Sequence, residues 1–327
     1  MGNSNQPHKK YEAKTPAQVR DKLNKYGLCY VPNILTEEER MSMISGTWDY
    51  FEHLTHKSDI QIKRSVPESW SVFKLLYPIG GMIYRYWGAP HSQHMWDLRQ
   101  NEKIVDVFAQ FYNRSPSDLI VSLDGFAFLV PPEHTNYGWY KDGDEYFHID
   151  QKYTETEFTS LQSFVTANEF RHGDATLKFY ESSHKLLPNI NKLFNVDTDS
   201  GYNIIPDDVL QYIDSMCNVV ELQCPAKSLV IWDSRIIHSP IKARKWRKEN
   251  NFRCIGYVNY RPRDLNFPLN LRTYEFENRL PITGHNPYKI YSNGKYPPNF
   301  SPDYMNLSLP STSPNLTQLG RRLLGYD

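Results

Sequence analysis

Three residues carry the clearest chemistry in this 327-residue chain. His148 and Asp150 lie in the run Tyr146-Phe147-His148-Ile149-Asp150-Gln151, and His238 follows 90 positions later in Trp232-Asp233-Ser234-Arg235-Ile236-Ile237-His238-Ser239-Pro240. Two imidazoles and one carboxylate on one face of a divalent metal form the facial ligand set that suits ferrous iron and leaves positions open for other ligands. Residues i and i+2 of a strand point to the same side. The His-x-Asp spacing therefore delivers two ligands from one strand face, while Ile149 packs on the other. Taken singly, each residue reads more readily as a core histidine or a capping aspartate; the combination is what points to a metal.

Such a set needs strands to hold it. Strand-like stretches run over 119–130, 146–150, 160–168, 176–180, 219–223, 228–232 and 252–260, separated by turn residues. Many short strands of this kind predict a β-sandwich or jelly roll. An aromatic content of 14%, with 23 Tyr and 16 Phe, supplies side chains that favour strands and fill a sizeable core. Helices are predicted ahead of the strands. One spans about 16–26, capped by Thr15 and stopped by Gly27; another runs from Thr36 to about residue 54, with Glu37, Glu38 and Glu39 in its first turn, where the helix dipole favours anions. A short strand at 28–32, ended by Pro32, lies between them. A third helix covers 101–112, with Ile104, Val105, Phe108 and Phe111 on one stripe, and a fourth 206–216. Residues 1–14 read as a disordered tail, 15–263 as a single domain, and 264–327 as an irregular C-terminal arm packed on that domain, with a short helical piece near 316–324.

Composition narrows the function classes. Lys plus Arg equals Asp plus Glu at 37 each, so no general electrostatic reason points to nucleic acid or an anionic membrane as partner. Cys29, Cys217, Cys224 and Cys254 form no C-x-x-C pair and read as reduced thiols of a cytoplasmic protein. The first ten residues lack the apolar stretch of a secretory signal, Gln6 stands where an N-myristoylation signal wants Ser or Thr, and no run reaches the ~20 apolar residues that span a bilayer.

The stretch from about residue 81 to 263 resembles the phytanoyl-CoA dioxygenase-like branch of the Fe(II)/2-oxoglutarate oxygenases. The blocks that carry the resemblance are, in order, His91-Ser92-Gln93, Trp96 with Arg99, Val121-Ser122-Leu123-Asp124-Gly125, His148-Ile149-Asp150-Gln151, Leu161-Gln162-Ser163, Ser182-Ser183-His184-Lys185, the block ending in His238, and Asn251-Phe252-Arg253. The opening run Tyr26 to Leu35 is also similar to the family's first segment.

The resemblance implies a double-stranded β-helix (a jelly roll, cupin-like) with supporting N-terminal helices. It also implies a dioxygenase that uses Fe(II), 2-oxoglutarate and O2 to hydroxylate a small-molecule or lipid-like substrate, releasing succinate and CO2. His148, Asp150 and His238 would bind the metal. Arg253 would hold the far carboxylate of 2-oxoglutarate, because a guanidinium fork matches a carboxylate and stays charged. Arg244 and Arg247 are nearer His238 in sequence but sit in a charged stretch, whereas Arg253 opens an apolar strand. Gln162 is expected to touch 2-oxoglutarate and Gln151 to orient a ligand, with His91, Trp96, Arg99 and Asp124 as further candidates for the pocket wall. His184 reads as structural. The carboxylate of Asp150 argues against halogenation, since related halogenases lack it. The loops 131–145 and 151–159 are candidate lids. A metal-binding jelly roll acting as a sensor or binding protein, without catalysis, is the alternative from a different class.

Overall fold

In the computed structural model, which describes residues 7–80, 82–135, 146–194, 201–264, 266–278, 286–288, 296–297, 299–301 and 303–327, two capped helices lead into the strands. Helix α1 (Pro16–Tyr26) begins where the Gln18 N–H donates to Thr15 Oγ1 at 3.3 Å, with Pro16 at the first position, where its missing N–H costs nothing. It ends at Gly27, whose φ of +80° favours glycine; a Cβ there would also fall 2.3 Å from Ile236 Cδ1. The helix end is thus packed on the segment that leads into His238. After strand β1 (Leu28–Val31), helix α2 (Glu37–Thr55) opens on a reciprocal cap: Glu39 N–H donates to Thr36 Oγ1, and Thr36 N–H donates to the Glu39 carboxylate. Its buried face sets Trp48 edge-on against Phe128, ring centroids 5.0 Å apart.

The remaining elements are β2 (Ile83–Tyr84), α3 (Gln93–Arg99), α4 (Glu102–Tyr112), β3 (Leu119–Val121), β4 (Phe126–Leu129), β5 (His148–Ile149), β6 (Leu161–Thr166), β7 (Leu177–Tyr180), α5 (Leu187–Phe194), β8 (Asn203–Ile204), α6 (Asp207–Met216), β9 (Val219–Glu221), β10 (Ser228–Asp233), β11 (His238–Pro240), β12 (Arg253–Tyr257), β13 (Tyr260–Pro262), α7 (Leu269–Glu277) and α8 (Gln318–Leu324). The strands form a six-stranded sheet in the order β1-β10-β6-β12-β4-β2, a five-stranded sheet in the order β8-β5-β11-β7-β9, and the pair β13-β3. Neighbouring strands run antiparallel throughout. The chain is therefore a β-rich fold with flanking helices. The large sheet meets the smaller one where Trp232 of β10 lies 5.5 Å, ring to ring, from His238 of β11.

Two apolar clusters hold the smaller sheet. Phe179, on its inner face, belongs to the main core with Phe164, Val230 and Ile255. On the outer face Ile149 and Ile237 join Tyr180, Leu187, Ile190, Ile205, Val209 and Ile213 beneath α5 and α6. Each fully buried isoleucine stabilises by roughly 1.5–3 kcal/mol. Ile149 and Ile237 each precede or separate candidate ligands, so this outer cluster fixes which way the strands β5 and β11 face.

Several local expectations are corrected. Residues 7–14 depart from a disordered tail: Tyr11 and Ala13 are fully buried, and Glu12 bridges to Tyr30 of β1. The run 119–130 splits into β3 and β4 at Ser122–Gly125, and 252–260 splits into β12 and β13. In each case the chain changes sheet. The C-terminal arm carries the extra helix α7, in which the buried Arg272 donates to the carbonyls of Val121, Pro287 and Leu324 and ties the arm to the core.

At the β3–β4 break Gly125 lies against the backbone of β2. A Cβ at this position would stand 1.8 Å from the Tyr84 carbonyl oxygen and 2.8 Å from its carbon. Backbone atoms paired in a sheet cannot step aside, so Gly125→Ala is expected to lower unfolding stability by about 3 kcal/mol or more. The check is the urea midpoint; a shift equivalent to under about 1 kcal/mol would show that β2 can yield.

Candidate metal centre

Strands β5 and β11 pair with His238 directly opposite His148. Directly opposed residues of an antiparallel pair project to the same face, and here the two imidazole centroids are 4.2 Å apart. Asp150 leaves the end of β5 and turns its carboxylate between them. Its Oδ2 lies 3.7 Å from His148 Nε2 and 3.4 Å from His238 Nε2. One ligand atom from each residue falls within 4.8 Å of the others, a group that could hold one metal ion. The other ring nitrogens face main-chain carbonyls: His238 Nδ1 stands 3.0 Å from the Ile236 oxygen and His148 Nδ1 3.5 Å from the Tyr146 oxygen. A carbonyl can only accept, so it favours the proton on Nδ1 and leaves the Nε2 lone pairs directed at the shared point.

Burial lowers the His238 pKa to about 4, helped by the neighbouring His148 and opposed by Asp150. His238 is therefore neutral at pH 7, the form a metal requires. His94, enclosed beneath α2 and edge-on to Phe126, is lowered further, to about 3, by burial and then by Arg99. Both groups bind protons less readily in the folded chain than at the ordinary value of 6.5. The unfolded chain thus holds more protons between pH 6.5 and about 4, and stability falls as pH falls through that window. Each such group contributes up to ~1.4 kcal/mol per pH unit. The metal-free protein should show a urea midpoint that drops steadily from pH 7 to pH 5, with a smaller drop in His94→Gln. A flat profile would mean that these imidazoles protonate without penalty.

The three residues open into a cavity of about 910 Å³ whose wall comes from both sheets. Arg253, 2% exposed at the start of β12, lines it. Tyr257, on the same strand face four residues on, shares a side-chain hydrogen bond with it, and its hydroxyl pKa is raised by burial. Arg244 and Arg247 do not line this cavity. Arg244 engages Glu221, and Arg247 engages Glu133 and Asp174. Gln162 lies opposite Trp232 on the cavity wall, and its Oε1 has no hydrogen-bond partner among the described residues.

Gln151 lines the cavity mainly as a brace. Its amide donates to the carbonyls of Glu155 and Glu157, and its Oε1 accepts from Thr159 and Ser234 at 2.8 and 2.7 Å. That folds residues 151–159 into a fixed rim. Of the other candidate lid, residues 136–145 lie outside the described residues.

The upstream candidates divide. Asp124 lines the cavity and accepts from Arg85 Nε at 3.1 Å and from the Gly125 N–H at 2.8 Å. His91, Trp96 and Arg99 do not line it. His91 and Trp96 pack edge-on against Phe276 of α7, and Arg99 donates to the carbonyls of Pro90, Ser122 and Asp124. Their blocks support the backbone behind Asp124. His184 contacts the Asn24 carbonyl at 3.3 Å at the end of α1, a structural position as expected, and the four cysteines are unbridged.

Sequence reasoning missed Arg85, Tyr146, Tyr202, Tyr257, Asn259 and Arg261, all on the cavity wall. Three of these had a signal: 257, 259 and 261 continue the two-residue period from Arg253. Arg85 had none, because β2 is only two residues long.

No family model matches the sequence, and no curated protein matches it either. Solved structures do match. A putative oxidoreductase from Salmonella typhimurium LT2 aligns over 95% of this chain and 82% of its own, at 13% identity and a TM-score of 0.62. A hypothetical protein from Escherichia coli aligns over the same shares, 95% and 82%, at 14% identity and a TM-score of 0.59. The GlcNAc Inducible Gene 2 protein of Candida albicans aligns over 81% of this chain and 68% of its own, at 13% identity and a TM-score of 0.53. These likenesses show a shared fold. Among the described residues no helix is long and apolar enough to cross a membrane.

Proposed function

We propose that the chain is an Fe(II)- and 2-oxoglutarate-dependent oxygenase on a double-stranded β-helix, hydroxylating a C–H bond of a small molecule. The observation that carries this reading is the convergence of His148, Asp150 and His238 on one point in a cavity that also holds the buried Arg253. The donor set fits the metal. Two imidazoles and one carboxylate suit ferrous iron, and three protein ligands leave room for a chelating cosubstrate. Bound iron would supply the oxidation of the substrate by O2 as 2-oxoglutarate becomes succinate and CO2.

The chain's own residues do the rest. The carbonyls of Ile236 and Tyr146 orient the two imidazoles, and Asp150 supplies the anionic ligand. Arg253 receives the far carboxylate of 2-oxoglutarate through a charge-assisted fork, with Tyr257 holding its side chain. Gln162 offers an acceptor or donor beside that site. The finer placement in the phytanoyl-CoA dioxygenase-like branch, and a cytoplasmic location, rest on the sequence blocks and the reduced thiols. Anaerobic addition of Fe(II) and then 2-oxoglutarate should give a weak visible charge-transfer band. Iron binding with no band and no succinate release would move the chain to the metal-binding sensor class.

A further inference from the structure

The cavity holds more than iron and a cosubstrate require. About 910 Å³ is near the upper end of the range for pockets that enclose drug-sized ligands, so a substrate shares it. Among its cations, Arg253 is taken by the cosubstrate in the reading above, on which this inference rests. Arg85 is a separate case. It follows β2 directly, and its Nε donates to Asp124 Oδ1 at 3.1 Å. Asp124 is itself fixed by the Gly125 N–H and, through its carbonyl, by Arg99. Among the described residues the Arg85 side chain is thereby anchored through Nε alone. Its two terminal nitrogens make no hydrogen bond among the described residues, and it stands near enough to Asp150 for their charges to interact.

A guanidinium fixed at Nε with both ends free is preorganised for two parallel bonds to one anionic group. A second cation adds to the field. Arg261 lines the same cavity and, among the described residues, is held by neutral groups: the Asn286 side chain at 3.3 Å, the Thr159 carbonyl at 3.2 Å and the ring of Tyr288. No carboxylate pairs with it among the described residues. A desolvated long-chain acyl substrate would leave both guanidinium groups facing hydrocarbon, which is costly.

We propose that the substrate is a small organic acid, and that Arg85 receives its anionic group beside the metal centre. The test is calorimetric binding of benzoate, phenyl phosphate and phenol to the full chain loaded anaerobically with Fe(II) and saturating 2-oxoglutarate. Saturation keeps the probes away from Arg253, and the two acids separate a carboxylate site from a phosphate site. At least one acid should bind more tightly than phenol by about tenfold or more. Arg85→Gln should remove that preference while leaving phenol binding and the charge-transfer band unchanged. Arg85→Lys, which keeps the charge and the Asp124 ion pair, should retain part of it. Equal binding of all three probes, no saturable binding of either acid, or a preference that survives Arg85→Gln overturns the proposal. So does a weakened 2-oxoglutarate affinity in Arg85→Gln with acid binding intact, which would make Arg85 the cosubstrate's arginine. Loss of the band in the unsubstituted protein would instead count against the oxygenase reading itself.

Discussion

Asp150→Ala is expected to abolish Fe(II) binding at micromolar metal and to remove succinate formation from 2-oxoglutarate, with the fold kept. In the proposed centre Asp150 would supply the anionic ligand, and its Oδ2 is the atom that both Nε2 atoms face, at 3.4 and 3.7 Å. Without it two imidazoles remain, too few for a facial set. Loss of a partner one shell further out typically costs 10–100-fold in metal affinity, so loss of a ligand should cost more than roughly a hundredfold. The fold should persist because Asp150 lies beyond the end of β5 and the neighbouring strands keep their register. Ile149 stays in the outer apolar cluster, which is what orients the strand. Metal titration followed by a succinate assay checks both halves. Iron binding within a few-fold of the unsubstituted protein would mean that the convergence of these residues is not a metal site, and the oxygenase reading would fall with it.

The parts of this geometry that could be read from residues alone share a physical reason. Caps are local chemistry, so Thr15, Gly27 and Thr36 marked α1 and the start of α2 within a residue or so, while the apolar stripe of 101–112 marked α4. The two-residue period of a strand put His148 and Asp150 on one side with Ile149 on the other. That His238 lies directly across from His148 is a fact of register, which two distant segments settle only by pairing. The order of the blocks that carry the resemblance likewise did not show which way the side chains of His91, Trp96 and Arg99 point, and they do not line the cavity. The side chains of His91 and Trp96 face Phe276 of α7, and Arg99 donates to the carbonyls of Pro90, Ser122 and Asp124 behind the cavity wall. The C-terminal arm looked irregular because α7 has no clean apolar stripe. Besides apolar side chains such as Phe276, Leu323 and Leu324, it is held by the buried Arg272 and its three carbonyl partners, a pattern no periodicity reveals. Arg85 was invisible for a related reason: it follows a two-residue strand and acquires meaning only through Asp124, 39 positions away.

Arg253→Ala should raise the 2-oxoglutarate concentration needed for half-maximal succinate formation by at least about a hundredfold, while Fe(II) affinity stays near that of the unsubstituted protein. Each hydrogen bond to a charged group contributes roughly 1.5–3 kcal/mol, and a guanidinium fork makes two of them to one carboxylate. Their joint loss, about 3–6 kcal/mol, sets the expected range. Arg253 is buried at the first residue of β12, paired across to Leu129, and Tyr257 on the same face fixes its side chain. Arg253→Lys should recover only part of the affinity, because an ammonium keeps the charge but loses the planar fork. Tyr257→Phe should fall between Arg253→Lys and the unsubstituted protein, since it leaves the guanidinium in place and removes one of its supports. The split between metal and cosubstrate is the decisive readout. If Arg253→Ala weakened iron and 2-oxoglutarate together, the residue would be acting through the packing of β12 against β6 and β4. If neither changed, another cavity cation would hold the cosubstrate, and Arg85, already fixed beside Asp150, would be the first to substitute.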